Sequence, residues 1–231
     1  MKRVLLSSLG CLAAIVIASA ASLAPVTIQH VAVKGQKLTY NTTGKITVAG
    51  MEGEISSKST DTILDVATDG TYTTENTQSD FEFNGMPVPI PGGATKIVVK
   101  PSGELVSLTG PDGGTDGARA QALTSFYFPS KAVEVNDTWS YEGKKDDKLG
   151  TSAFKADMKY LGDEKVGSVD TYKVQVDSKE TDPGSPATLH STVWLDKTDG
   201  SMLKVISTFT NLPAPGGYTI DGTMTITKAG S

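Results

Sequence analysis

Strict alternation of apolar and polar residues dominates this chain and limits what it can become. Phe154, Ala156, Met158 and Tyr160 are separated by Lys155, Asp157 and Lys159. Tyr172, Val174 and Val176 alternate with Lys173, Gln175 and Asp177. Tyr218, Ile220, Met224 and Ile226 alternate with threonines and Asp221. Side chains repeat every two residues only in an extended strand, so these runs predict strands with one dry and one wet face. Parallel strands are covered on both faces, which leaves an antiparallel sheet. Asp69-Gly70, Pro101-Ser102-Gly103 and Asp199-Gly200 supply hairpin turns, and Asp221-Gly222 supplies a turn or a bulge. The spacing of these signals predicts about eleven strands.

One segment departs from the two-residue period. Asp116 to Phe126 is alanine-rich, has Thr115 or Asp116 available as an N-cap, and is stopped by Pro129. A short helix is predicted there, with Ala122, Leu123 and Phe126 on one face packing across the sheet.

The amino terminus predicts export. Lys2 and Arg3 precede an uncharged stretch from Val4 to Ala20 that ends in Ala18-Ser19-Ala20. This is the layout of a cleaved secretory signal, residues 1–20, with the mature chain starting at Ala21. Gly10-Cys11 offers a minor alternative, a lipid anchor at Cys11. Cleavage before Ala21 removes the one cysteine of the sequence, so no disulfide supports the mature fold and core burial alone must stabilise it. The remaining length of about 210 residues suffices for that. A formal net charge of −5 with no basic cluster argues against a nucleic-acid partner, and no transmembrane span is expected after cleavage.

The chain also matches itself. Gly35–Tyr40 corresponds to Asn136–Tyr141, Asp69–Tyr72 to Val169–Tyr172, and Val98–Val106 to Trp194–Leu203. The offset is about 100 residues each time, which predicts two β-meander halves, 26–110 and 130–229, joined by the helix-bearing linker 111–129. Two Pro-Gly loops, 87–93 and 213–217, read as stiff connections at strand edges.

Catalytic and metal chemistry finds little purchase. His30 stands at the start of the mature chain, and His190 reads as an exposed strand residue. Two histidines without a mature cysteine do not make an ordinary zinc site. No nucleophile elbow, phosphate-binding loop or dinucleotide fingerprint occurs, and no cofactor is expected. Asp61 with Asp65, Asp146 with Asp147, and Asp163 with Glu164 read as solvated pairs, and the Asp112–Gly117 loop reads as a linker rather than a calcium loop. Apolar surface remains: Phe126, Tyr127, Phe128, Trp139, Trp194 and Met202 are the residues expected to line an apolar ligand, if the sheet encloses a space instead of a filled core.

The layout resembles the half-barrel proteins of the bacterial envelope, namely the lipoprotein carriers of the LolA and LolB type and the mycobacterial LppX and LprG type. Val135–Tyr141, Tyr172-Lys173-Val174 and Val193-Trp194-Leu195-Asp196 with Asp199-Gly200 also resemble runs in secreted bacterial β-proteins. The resemblance implies an all-β, mostly antiparallel fold: a strongly curved sheet or half-barrel with helix across its hollow. The single predicted helix departs from the carriers, which have several. Two functions are expected on these grounds. The first is a non-catalytic structural or interaction protein of the envelope or extracellular space. The alternative is a periplasmic carrier or binder of a hydrophobic ligand such as a lipid or acyl chain, with such a molecule or another envelope component as partner.

Overall fold

The computed structural model describes residues 24–90, 92–111, 114–181 and 184–230. The leader segment 1–20, with Cys11, and Asp112 lie outside the described residues. The chain runs β1 (Lys37–Val48), β2 (Met51–Val66), β3 (Tyr72–Phe83), β4 (Met86–Pro87), β5 (Thr95–Val99), β6 (Leu105–Thr109), then α1 (Thr115–Thr124). It continues through β7 (Thr138–Gly143), β8 (Phe154–Val166), β9 (Val169–Glu180), β10 (Thr188–Asp196), β11 (Met202–Ala214) and β12 (Tyr218–Lys228). The twelve strands among the described residues form one curved sheet in the order β6-β5-β3-β2-β1-β12-β11-β10-β9-β8-β7, with β4 off this path and paired to β3. Every pairing is antiparallel. Each half of the chain is a meander, and the two meet where β1 pairs with β12.

The alternation read from the sequence is the burial pattern of the second meander. Phe154, Ala156, Met158 and Tyr160 of β8 are buried, as are Val174 and Val176 of β9, and the residues between them face outward. The strand β12 runs unbroken through Asp221-Gly222. The irregularity lies in its neighbour, where Thr210 and Asn211 of β11 stand opposite Asp221 alone. Asn211 has φ 53°, and its amide donates to the Asp221 carboxylate (2.6 Å). Two residues against one is a bulge, and it bends β11 before Pro213.

The helix begins one residue before the alanine-rich segment and ends at Thr124, so Phe126 follows it rather than belonging to it. Gly114 occupies the N-cap without a side-chain cap, and Asp116 accepts instead from the amide of Gly217 in the second Pro-Gly loop (3.0 Å). Ten residues make a marginal helix in isolation, so its stability is tertiary. Ala118, Ala122 and Leu123 are buried beneath it. Arg119 forks onto Glu180 at the end of β9, with Nε to Oε1 and Nη2 to Oε2 both at 2.9 Å. The Ala187 amide donates to the same carboxylate (3.0 Å). Burial alone would raise Glu180, but these hydrogen bonds outweigh it and hold the carboxyl below the usual glutamate range.

Two extended straps complete the cover. The segment 26–31 crosses the β10–β11 turn, where the Val31 amide donates to the Asp199 carbonyl (2.8 Å). The segment 126–133 crosses the β5–β6 turn, where the Phe128 amide donates to the Ser102 carbonyl (2.9 Å). The straps bond to each other through reciprocal Val26–Val133 amide–carbonyl bonds (both 2.9 Å). Gly103 and Gly200 are the turn residues under the straps. Both have positive φ, 90° and 71°, and a Cβ on either would lie about 2 Å from a strap carbonyl oxygen, of Phe126 and Gln29 respectively. Only glycine meets both demands.

Arg119→Met is expected to destabilise the protein by about 3 kcal/mol, since it leaves the buried Glu180 carboxylate without its cation. Chemical denaturation at neutral pH measures this. The Glu180 contribution is present above the ordinary glutamate pKa and is lost as pH falls through its lowered native value, so the difference between wild type and Arg119→Met shrinks in acid.

Candidate functional site

Between the concave face of the sheet, the end of α1 and the two straps lies a cavity of about 280 Å³. Its wall is built from strands of both meanders. Leu38 and Tyr40 come from β1, Ile63 from β2, and Ile97 and Val99 from β5. Val176, Leu189, Val193, Val205, Met224 and Ile226 come from β9 to β12. These positions face inward because they occupy the apolar phase of each alternating strand. Phe126 and Phe128 close the space from above, edge to face with centroids 4.8 Å apart.

One part of the wall is polar. Asp61 faces inward in a row with its cross-strand partners Leu38 and Asn76. Asn76 donates to Asp61 Oδ1 (2.6 Å). Burial raises the Asp61 carboxyl above the usual aspartate range, and the Asn76 bond only partly opposes this. Burial likewise raises the Tyr72 hydroxyl to about 12, and the Tyr40 hydroxyl further, with the Asp61 charge adding to both. Neither tyrosine hydroxyl is hydrogen-bonded to another described residue. His30, delivered by the first strap, packs its ring against Tyr72 (5.3 Å) and Phe128 (6.4 Å). Its Nδ1 donates to the Asp199 carbonyl (3.1 Å), and burial lowers its pKa. Across the cavity, Ser191 and Ser207 bond each other (2.8 Å).

Of the six residues singled out from the sequence, Phe126, Phe128 and Met202 line this cavity. Tyr127 points the other way. It stacks on Tyr141 at 4.0 Å and donates from its hydroxyl to the Ala122 carbonyl (2.7 Å), which ties the strap to the helix. Trp139 is half-buried on the edge strand β7 and donates from Nε1 to the Tyr127 carbonyl (2.7 Å). Trp194 lies on the opposite face of the sheet, the face of His190. It is buried there under Lys173 and Lys204, each near 5 Å from the ring, and donates to Glu164 (3.1 Å).

Asp61 and His30 are cavity residues that the sequence pattern hides. Asp61 reads as one half of a solvated pair, yet only Asp65 is exposed, bonded to Lys34 (2.9 Å). A signal did exist: Asp61 falls in phase with Ile63 along β2, and that phase faces inward. Nothing in the sequence foretells that the strap carries His30 over the sheet. Among the described residues, no group of three acidic, histidine or cysteine side chains is placed to hold a metal ion. No helix among them is long and apolar enough to cross a membrane.

No protein-family model matches the chain, and no curated protein matches it in sequence. Among solved structures it is similar to the lipoprotein YmcC from Escherichia coli K12, at 11% identity and a TM-score of 0.33, over 83% of this chain and 84% of that one. It is also similar to a DUF1329 family protein from Desulfovibrio piger, at 13% identity and a TM-score of 0.23, over 85% of each chain. A third is an outer membrane lipoprotein-sorting protein domain from Vibrio parahaemolyticus, at 10% identity and a TM-score of 0.18, over 84% and 83%. Likeness at this level assigns no residue and no activity, so the functional reading rests on the cavity itself.

Trp139→Phe keeps most of the ring but removes the bond to the strap. A loss of about 1 kcal/mol is expected, together with faster amide exchange at Phe128, whose hydrogen bond to Ser102 depends on the strap staying seated. Unchanged exchange at Phe128 would show that the strap is held without Trp139.

Proposed function

We propose that the protein is an exported component of the bacterial envelope that holds one small, mostly apolar molecule in the cavity under the straps. It acts by binding, not by catalysis. The observation that carries this reading is the cavity: a space of about 280 Å³, mostly apolar in its lining, between the concave face of the sheet and the straps. That volume stands at the lower edge of the ~300–1,000 Å³ typical of small-molecule sites, which favours a single short chain or ring system over a whole lipid.

Several features support the rest of the reading. The charged start, uncharged stretch and Ala18-Ser19-Ala20 end favour export. Among the described residues, no hydrogen bond joins the Asp61 and His30 of the cavity and the serines opposite bond each other, which favours binding over nucleophilic catalysis. The reciprocal strap bonds, Val31 to Asp199 and Phe128 to Ser102, favour a duplicated unit with an offset of about 100 residues. On this reading the cavity is the space left where the two copies face each other.

Native mass spectrometry of the protein, purified gently from its own host, tests the proposal. A mass excess corresponding to one small molecule is expected, lost when the protein is unfolded. A bare polypeptide mass, together with no heat of binding on titration with n-octanol, would overturn it.

A further inference from the structure

The polar part of the cavity wall is unusually one-sided in its chemistry. Four titratable side chains line the cavity: His30, Tyr40, Asp61 and Tyr72. No lysine or arginine is among the described lining residues. Asp61 spends one carboxylate oxygen on Asn76, and its second oxygen is bonded to no described residue. His30 donates through Nδ1 to the Asp199 carbonyl, which leaves Nε2 as an acceptor in the neutral ring. The hydroxyl of Tyr40, a residue only 5% exposed, has no partner among the described residues. The charges just behind this wall balance each other. Lys228 donates to Ser201 (3.1 Å), and its charge helps hold Asp199 low against the effect of burial. Asp199 also accepts from Gln36 (2.8 Å) and from the Ser201 amide (2.8 Å). Asp61 is therefore the one carboxylate among the described lining residues, and no described cation is bonded to it.

A half-buried carboxyl without a counter-charge is costly, and a ligand that brought a cation would lower that cost. A ligand bearing a carboxylate would add to it. We infer that the ligand is an amphiphile with a protonated amine at one end, which Asp61 binds with help from Tyr40 and Tyr72, while its hydrocarbon part lies against the apolar wall formed by both meanders. This rests on the reading of the cavity as a binding site. The raised Asp61 carboxyl is the expected state of the empty site, and docking of an ammonium group would draw it down and release a proton. Amine binding then strengthens as pH rises through the native Asp61 value and is lost below it.

Calorimetric titration of the folded protein with n-octylamine, n-octanol and n-octanoate at neutral pH separates the two ideas. The three probes share one chain and differ in the head alone. The amine is expected to bind most tightly and the carboxylate least. Asp61→Asn retains an acceptor for Asn76 and removes the charge. It is expected to weaken octylamine binding at least about tenfold, and octanol binding by far less. Octanol binding without any preference for the amine over the carboxylate, or an octylamine affinity unchanged in Asp61→Asn, would overturn this inference and leave the cavity reading intact. No binding of octanol by either protein would remove the cavity reading itself. The comparison of the three probes on the wild type stands whether or not the variant folds.

Discussion

Everything in this protein follows from how a long sheet with one apolar face is kept out of water. Ten inter-strand spacings along the sheet path amount to roughly 48 Å of width. The one helix among the described residues, ten residues long, covers about 15 Å. No flat sheet of that width could be roofed by so little helix. The sheet curls so that its own strands face one another, and two backbone straps cover the remainder. The straps work because a polar backbone can be laid over an apolar face only where its amides and carbonyls are satisfied. Here they are bonded to the hairpin turns and to each other.

The two meanders contribute unequally beneath that cover. Strands β8 to β11 bring bulky residues to most inward positions, from Phe154 and Met158 to Leu195 and Phe209, and these pack with Tyr127 and Leu123. Inward positions in the first meander include Asp61 and Thr74 as well as Leu38 and Ile63. Small or polar inward residues cannot fill the hollow that the curvature creates. The cavity lies where the densely packed meander faces the sparsely packed one. Its titratable side chains belong to the first meander and to the strap that carries His30.

The sheet, its antiparallel sense and the helix α1 were legible in the sequence because they depend on local periodicity. β8 shows this most clearly, with Phe154, Ala156, Met158 and Tyr160 all buried as their spacing implies. Strand β4 escapes such reading, because two residues carry no period and Met86-Pro87 pairs only through the turn at Asn84-Gly85. The site was half legible. Phe126, Phe128 and Met202 stand out as bulky residues near the helix and turns, and they line the cavity. Trp194 is bulky too, but its place is set by Lys173 and Lys204, which stand directly across from it on the neighbouring strands and shield it from water. That is a cross-strand effect with no trace in local order. Asp61 was hidden by a reasonable expectation, that a carboxylate seeks solvent, which its phase with Ile63 on β2 overrides.

A methyl NMR titration reaches the central claim most directly, because the methionines are distributed as natural reporters. Met202 and Met224 line the cavity, Met158 is buried in the packed core away from it, and Met51 and Met86 are exposed on the outside. On addition of n-octanol to the folded protein, the account requires the Met202 and Met224 methyl resonances to shift in a saturable manner while those of Met51 and Met86 stay in place. Shifts confined to Met51 and Met86, or no saturable shift at Met202 and Met224, would contradict it.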